Sequence, residues 1–188
     1  MSTHFVELKI PRTLNSVSVR VRASVPYLFV NISKIMSADQ QIKALNLNLP
    51  PAPKPYGVYQ PVLIIGNLAY VSGHGPLLND ETYITGKAGA ELDAAAAKEG
   101  ARQTGLAILA SLRAKLGSLD RVKQLVKSFG MVNATADFSE HPLVIDGYSE
   151  LMAEVFGPEI GVGARSAVGM GSLPGNIAVE IEAIFEIE

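Results

Sequence analysis

Few side chains in this sequence could do chemistry, and the most telling is Arg165. It stands among small residues, Gly163, Ala164, Ser166 and Ala167, which leave room around a guanidinium whose planar fork suits a carboxylate or phosphate. Further on, Val179, Ile181, Ala183, Phe185 and Ile187 alternate with Glu180, Glu182, Glu186 and Glu188. One face of that strand meets a core and the other faces something polar. Arg165 therefore has two readings: an anchor for an anionic ligand, or a structural partner of Glu180 or Glu182 across a hairpin.

The other reactive groups offer less. Ser72 and His74 share one face of a strand, but i,i+2 neighbours rarely meet as a nucleophile–base pair, and no orienting carboxylate is near in sequence. His4 and His141 are scattered, no His-Glu-x-x-His spacing occurs, and there is no cysteine. Disulfides, thiolate nucleophiles and Cys-ligated metals are thereby excluded, and no metal or cofactor is expected. Gly161-Val162-Gly163 and Gly169-Met170-Gly171 lack the strand-to-helix setting of a dinucleotide loop.

The elements that must position these groups follow from periodicity. Residues 58–65 and 68–72 read as strands joined at Gly66-Asn67, a pair that accepts positive φ. Residues 92–116 are the strongest helix, with Asp93 at its start and Gly117 after its end. A strand over 121–132, a helix over 141–156, and two final strands joined by Leu173-Pro174-Gly175-Asn176 complete the order β-β-α-β-α-β-β. That order predicts an α+β domain, two helices on one face of a mixed sheet, the other face left for further copies of the chain.

The 188 residues are 48% hydrophobic and 18% charged, a composition that buries a core. A net charge of -2 gives no basic footprint for nucleic acid, and no apolar run approaches the roughly 20 residues needed to span a bilayer. Residues 1–35 differ: Lys9, Arg12, Arg20, Arg22 and Lys34 against Glu7 alone make +4, leaving -6 for the rest. The leader reads as a segment upstream of a true translation start at Met36, as a weakly ordered extension, or as an organellar address; the expected location is otherwise the cytoplasm. Residues 36–55 read as a short helix over 37–45 and a Pro-rich lead-in, and 56–188 as the folded domain.

Several motifs, taken together and in order, carry a resemblance. They are Gly66-Asn67-Leu68-Ala69-Tyr70-Val71-Ser72-Gly73 with Gly75-Pro76, then Leu119-Asp120-Arg121-Val122-Lys123, then Ala164-Arg165-Ser166, and Leu173-Pro174 ahead of Val179-Glu180-Ile181-Glu182-Ala183. From about Leu49 onward the chain resembles the Rid family (RidA or YjgF-like, also called the L-PSP endoribonuclease family), as a divergent branch. The resemblance implies a chorismate-mutase-like fold, a homotrimer with a barrel core, and sites between subunits. It implies hydrolysis of 2-imino or enamine acids to 2-keto acids and ammonia. In that reading Arg165 binds the substrate carboxylate, Glu180 positions or activates water, and Tyr59 and Ser72 line the site. Three positions depart from the family pattern: Ala167 where many members carry Cys, His74 where many carry Gln, and Asp146 near a common Asn. A second anion beside a bound carboxylate weakens binding; Ala167 and Asp146 motivate the alternative, a non-catalytic keto-acid binder or sensor, and ribonuclease activity rests on the family's older name alone.

Overall fold

The computed structural model describes residues 36–188, so all three readings of the leader lie outside the described residues. Alternation in the last strand, β5 (Val179–Ile187), is realised: its odd-numbered residues are buried and its even-numbered ones face away from the core. Both edges of β5 are paired antiparallel, one to β2 (Leu68–His74) and one to β3 (Val122–Asn133). Outside β2 lies β1 (Val62–Ile65), and outside β3 lies β4 (Ala164–Met170), giving the order β1-β2-β5-β3-β4.

This arrangement corrects the expected hairpin between the last two strands. The turn forms where expected, with Gly175 and Asn176 at φ 59° and 58°. The strands it joins go to different neighbours, however, because β4 pairs parallel to β3 on the side away from β5. The physical reason is burial. Val179, Ile181 and Phe185 are fully buried and belong in the middle of a sheet, whereas the small residues of β4 suit an edge. A parallel neighbour also needs a crossover, and α3 (His141–Phe156), followed by the one-turn α4 (Pro158–Gly161), supplies it.

Two helices cover one face of the sheet. Helix α2 (Ala94–Leu116) starts at Asp93, whose carboxylate accepts from Ala96 N at 2.8 Å, and stops at Gly117 with φ 83°. It lies against α3, close enough that a Cβ at Gly147 would sit 2.1 Å from the Lys98 carbonyl oxygen. Ion pairs Lys98–Glu150 and Arg102–Glu154, both 2.8 Å, bridge the same two helices. Ile108, Leu109 and Leu112 of α2 and Ile145, Leu151 and Met152 of α3 are fully buried with Phe185 and Ile181. Each such side chain contributes roughly 1.5–3 kcal/mol relative to exposure.

The expected short helix, α1 (Ala38–Ala44), begins at a Ser37 capping box and buries Ala38 and Ile42 in that core. Asp39 fastens it. Its carboxylate accepts from Arg113 at 2.7 and 3.0 Å, from Ser118 Oγ at 2.6 Å and from Leu119 N at 3.2 Å. Burial opposes the Asp39 charge, but these donors prevail and hold its carboxyl below the ordinary value.

The opposite face of the sheet is open, as the pattern predicts. Leu63, Ile65 and Tyr70 are exposed there, and Lys127, whose Nζ donates to Ser166 Oγ at 2.9 Å, stands beside Glu182 and Phe129. Among the described residues, no helix is long and apolar enough to cross a membrane.

Candidate functional site

Residues singled out for chemistry fall into two groups, one on each face of the sheet. The first surrounds Arg165. Its register partner on β3 is Ser128, which is buried and bonds to the Tyr148 hydroxyl of α3 at 3.2 Å. Arg165 thus points toward the helices. Its Nη1 donates to Asp146 Oδ1 at 2.7 Å and to Ser149 Oγ at 3.0 Å, both presented by α3. Neither predicted partner, Glu180 nor Glu182, is the one it meets. Ala167, two residues along the same strand, is half-buried against the core.

The second group surrounds Glu180. In β5 it lies on the open face, opposite Met131 of β3. A β-bulge makes its seat: between Val71 and His74 the β2–β5 register slips by one residue, an irregularity common beside functional sites. The extra backbone brings Gly73 over the glutamate, so that a Cβ at Gly73 would lie 2.0 Å from Glu180 Oε1. Glycine at 73 is what leaves space for the carboxyl. Burial, with a smaller effect of Glu182, pushes the Glu180 pKa above the ordinary carboxylate value. A carboxyl held partly out of water in this way can take and return a proton closer to neutrality.

Glu180 opens into a cavity of about 650 Å³. Tyr59 lines it, as do Tyr56 and Lys54 from the Pro-rich segment and Tyr83 and Thr85 from the loop at 77–90. Ser72 does not line the cavity. Its Oγ donates to the Gln60 carbonyl at 2.8 Å and its N–H to the Pro61 carbonyl at 3.0 Å, which holds the segment carrying Tyr59 against β2. That tie also explains why β1 starts at Val62 and not at the predicted Val58: residues before Pro61 leave the sheet to wall the cavity.

His74 is buried, and both ring nitrogens are engaged. Nδ1 lies 2.7 Å from the Ser72 carbonyl and Nε2 lies 2.8 Å from Ser111 Oγ. A carbonyl only accepts, so the proton sits on Nδ1 and the serine hydroxyl of α2 donates to Nε2. The Ser72 hydroxyl points elsewhere, and the Ser72–His74 pair is not a dyad. Burial pushes the His74 pKa down, partly offset by the Ser72 carbonyl. Its role is to bind strand to helix behind the bulge.

Sequence reasoning did not single out Gly73, Tyr56 or Tyr83. The loop at 77–90 reaches the cavity through Tyr83 and Thr85. It is placed there by the Thr85–Ile177 bridge and by Gly86 N–H donating to Asn176 O at 2.9 Å.

Residues 39–181 match a family described as YjgF/chorismate mutase-like, putative endoribonuclease. Over 146 residues the chain is 37% identical to Protein TCP17 of Trypanosoma cruzi, a match covering 78% of this chain and 91% of that protein. It is 28% identical over 143 residues to a 2-iminobutanoate/2-iminopropanoate deaminase of Dermatophagoides farinae, covering 76% of this chain and 95% of that one. A crystal structure of a protein of unknown function from Agrobacterium tumefaciens has a TM-score of 0.73 at 40% identity, over 81% of this chain and 94% of that one.

Proposed function

The chain belongs to the YjgF/chorismate-mutase-like family, and on that premise we propose that it hydrolyses reactive 2-imino acids to 2-keto acids and ammonia. The observation that carries this reading is Glu180: a half-buried carboxyl of raised pKa, seated by Gly73 and opening into a cavity large enough for an organic acid. As carboxylate it accepts a proton from water while the water oxygen bonds to C2 of the imine. The resulting carbinolamine takes a proton on nitrogen, returned by the Glu180 acid. Glu180 then carries the carbinolamine hydroxyl proton to the same nitrogen, the C–N bond breaks, ammonia leaves, and the oxygen keeps C2 as a carbonyl. The imine is intrinsically electrophilic, so a positioned water and one proton shuttle suffice.

Arg165 would hold the substrate carboxylate. In a single chain Arg165 and Glu180 point from opposite faces of the sheet, with β3 between their strands. Both can act on one substrate if neighbouring copies bring Arg165 of one chain to Glu180 of the next. A homotrimer that covers the open sheet face and sets the edge strand β4 of one copy beside the Glu180 cavity of the next would do this.

One observation favours a second reading. The departures at Ala167 and Asp146, the latter paired with Arg165 at 2.7 Å, suit a protein that binds keto acids without turning over imines. The two separate on one experiment: ammonia and keto-acid release from 2-iminopropanoate and 2-iminobutanoate generated in situ, with wild type, Glu180→Gln and Arg165→Ala. Acceleration abolished by Glu180→Gln and starved of substrate affinity by Arg165→Ala is expected. Saturable keto-acid binding without acceleration by wild type would replace the deaminase with the binder.

A further inference from the structure

The Glu180 cavity is oversized for the smallest imino acids. At about 650 Å³ it lies within the roughly 300–1,000 Å³ of pockets that enclose drug-sized ligands and bury most of their surface. A methyl or ethyl side chain would touch a small part of its wall. That wall is apolar and flat: Tyr59, Pro61, Tyr83, Pro174 and Ile177 contribute rings and one branched chain. The far wall is built as deliberately as the Glu180 seat. A Cβ at Gly75 would lie 2.9 Å from Ile177 Cδ1 and 3.3 Å from two ring carbons of Tyr83, so glycine at 75 lets those side chains close on the backbone. Within one chain, charge in the lining is confined to Glu180 and the exposed Lys54, since His74 spends both ring nitrogens inside the protein. Burial and the adjacent Tyr56 push the Tyr83 hydroxyl up to about 12, so Tyr83 stays a neutral, largely apolar surface at every working pH.

A ligand matching this distribution has one polar head at Glu180 and a broad planar apolar body against the rings, where offset or edge-on aromatic contacts add to simple burial. Resting on the deaminase reading, we propose that the substrate is a 2-imino acid with an aromatic side chain, selected over methyl and ethyl analogues by the wall of Tyr59, Tyr83, Pro174 and Ile177.

The test compares kcat/KM for 2-imino-3-phenylpropanoate and 2-iminopropanoate, each generated in situ, in wild type and Tyr83→Ala. Burial of a phenyl ring predicts a preference of about 10-fold or more for the aromatic imine, with Tyr83→Ala lowering the aromatic rate more than the methyl one. Equal rates, or a preference for the methyl imine, overturn the inference while leaving the deaminase standing. If neither imine is accelerated, the deaminase reading fails, and binding decides the inference: phenylpyruvate and pyruvate are titrated by tyrosine fluorescence, which the absence of Trp leaves unmasked. Phenylpyruvate held about 10-fold more tightly supports the aromatic cavity; equal affinity, or no binding of either, overturns it.

Discussion

Replacing Gly73 by Ala tests the position of Glu180 without removing it. The new Cβ would stand 2.0 Å from Glu180 Oε1 and 2.9 Å from its Cδ, and ordinary contact begins near 3.4 Å, so the carboxyl oxygen must retreat by about 1.4 Å. The backbone itself accepts alanine, because Gly73 is not among the positive-φ glycines. The clash is with the far end of a flexible side chain, and the denatured chain loses some freedom, so stability should change by less than about 1 kcal/mol. A misplacement of that size at a proton-shuttling group costs on the order of 10²-fold in rate. In the imine assay kcat should fall by about that factor with KM little altered. The pH profile should move too. In wild type the acidic limb of kcat/KM lies above the ordinary glutamate value, because burial first and Glu182 second raise the Glu180 pKa. A carboxyl pushed toward solvent loses the burial contribution, and the limb shifts to lower pH. Wild-type kcat and an unmoved limb in a folded Gly73→Ala protein would refute the assignment of Glu180 as the proton shuttle.

Asp146→Asn should free Arg165 for substrate: KM for the imino acid, or Kd for a keto acid, falls about 3- to 10-fold, with stability changed by no more than about 1 kcal/mol because the pair is partly exposed. An unchanged KM would mean that Arg165 is not the carboxylate anchor. His74 should make stability pH-dependent. Its folded pKa lies below the unfolded value near 6.5, so the unfolded chain binds more protons in that range. The contribution is full above pH 6.5 and is lost as pH falls toward the folded pKa. Urea unfolding from pH 7.5 to 5 should show His74→Gln with a shallower loss than wild type; parallel curves would show that another group sets the acid sensitivity.

What the sequence disclosed and what it withheld divide along one physical line. Alternation over Val179–Ile187 assigns each residue to its observed face because a period of two holds whatever the strand pairs with. Helices α2 and α3 are likewise legible from their own caps and periods, within two residues at the start of α2 and without error for α3. Pairing depends on residues far apart, and there local reasoning failed. A turn at Leu173–Asn176 suggested that the strands on either side meet, yet β5 is apolar enough to take the centre of the sheet and β4 is not. The same failure hid Gly73, whose importance arises from a one-residue slip against β5, and it mistook the partner of Arg165. In the sequence Asp146 reads only as a misplaced anion, since nothing local says that α3 crosses over β4. These errors share a consequence for function. A hairpin would have put Arg165 and Glu180 side by side in one chain, a complete site in a monomer. With β3 between their strands and their side chains on opposite faces, the deaminase reading requires a second copy. Dilution below the assembly threshold should then abolish activity while leaving each fold intact.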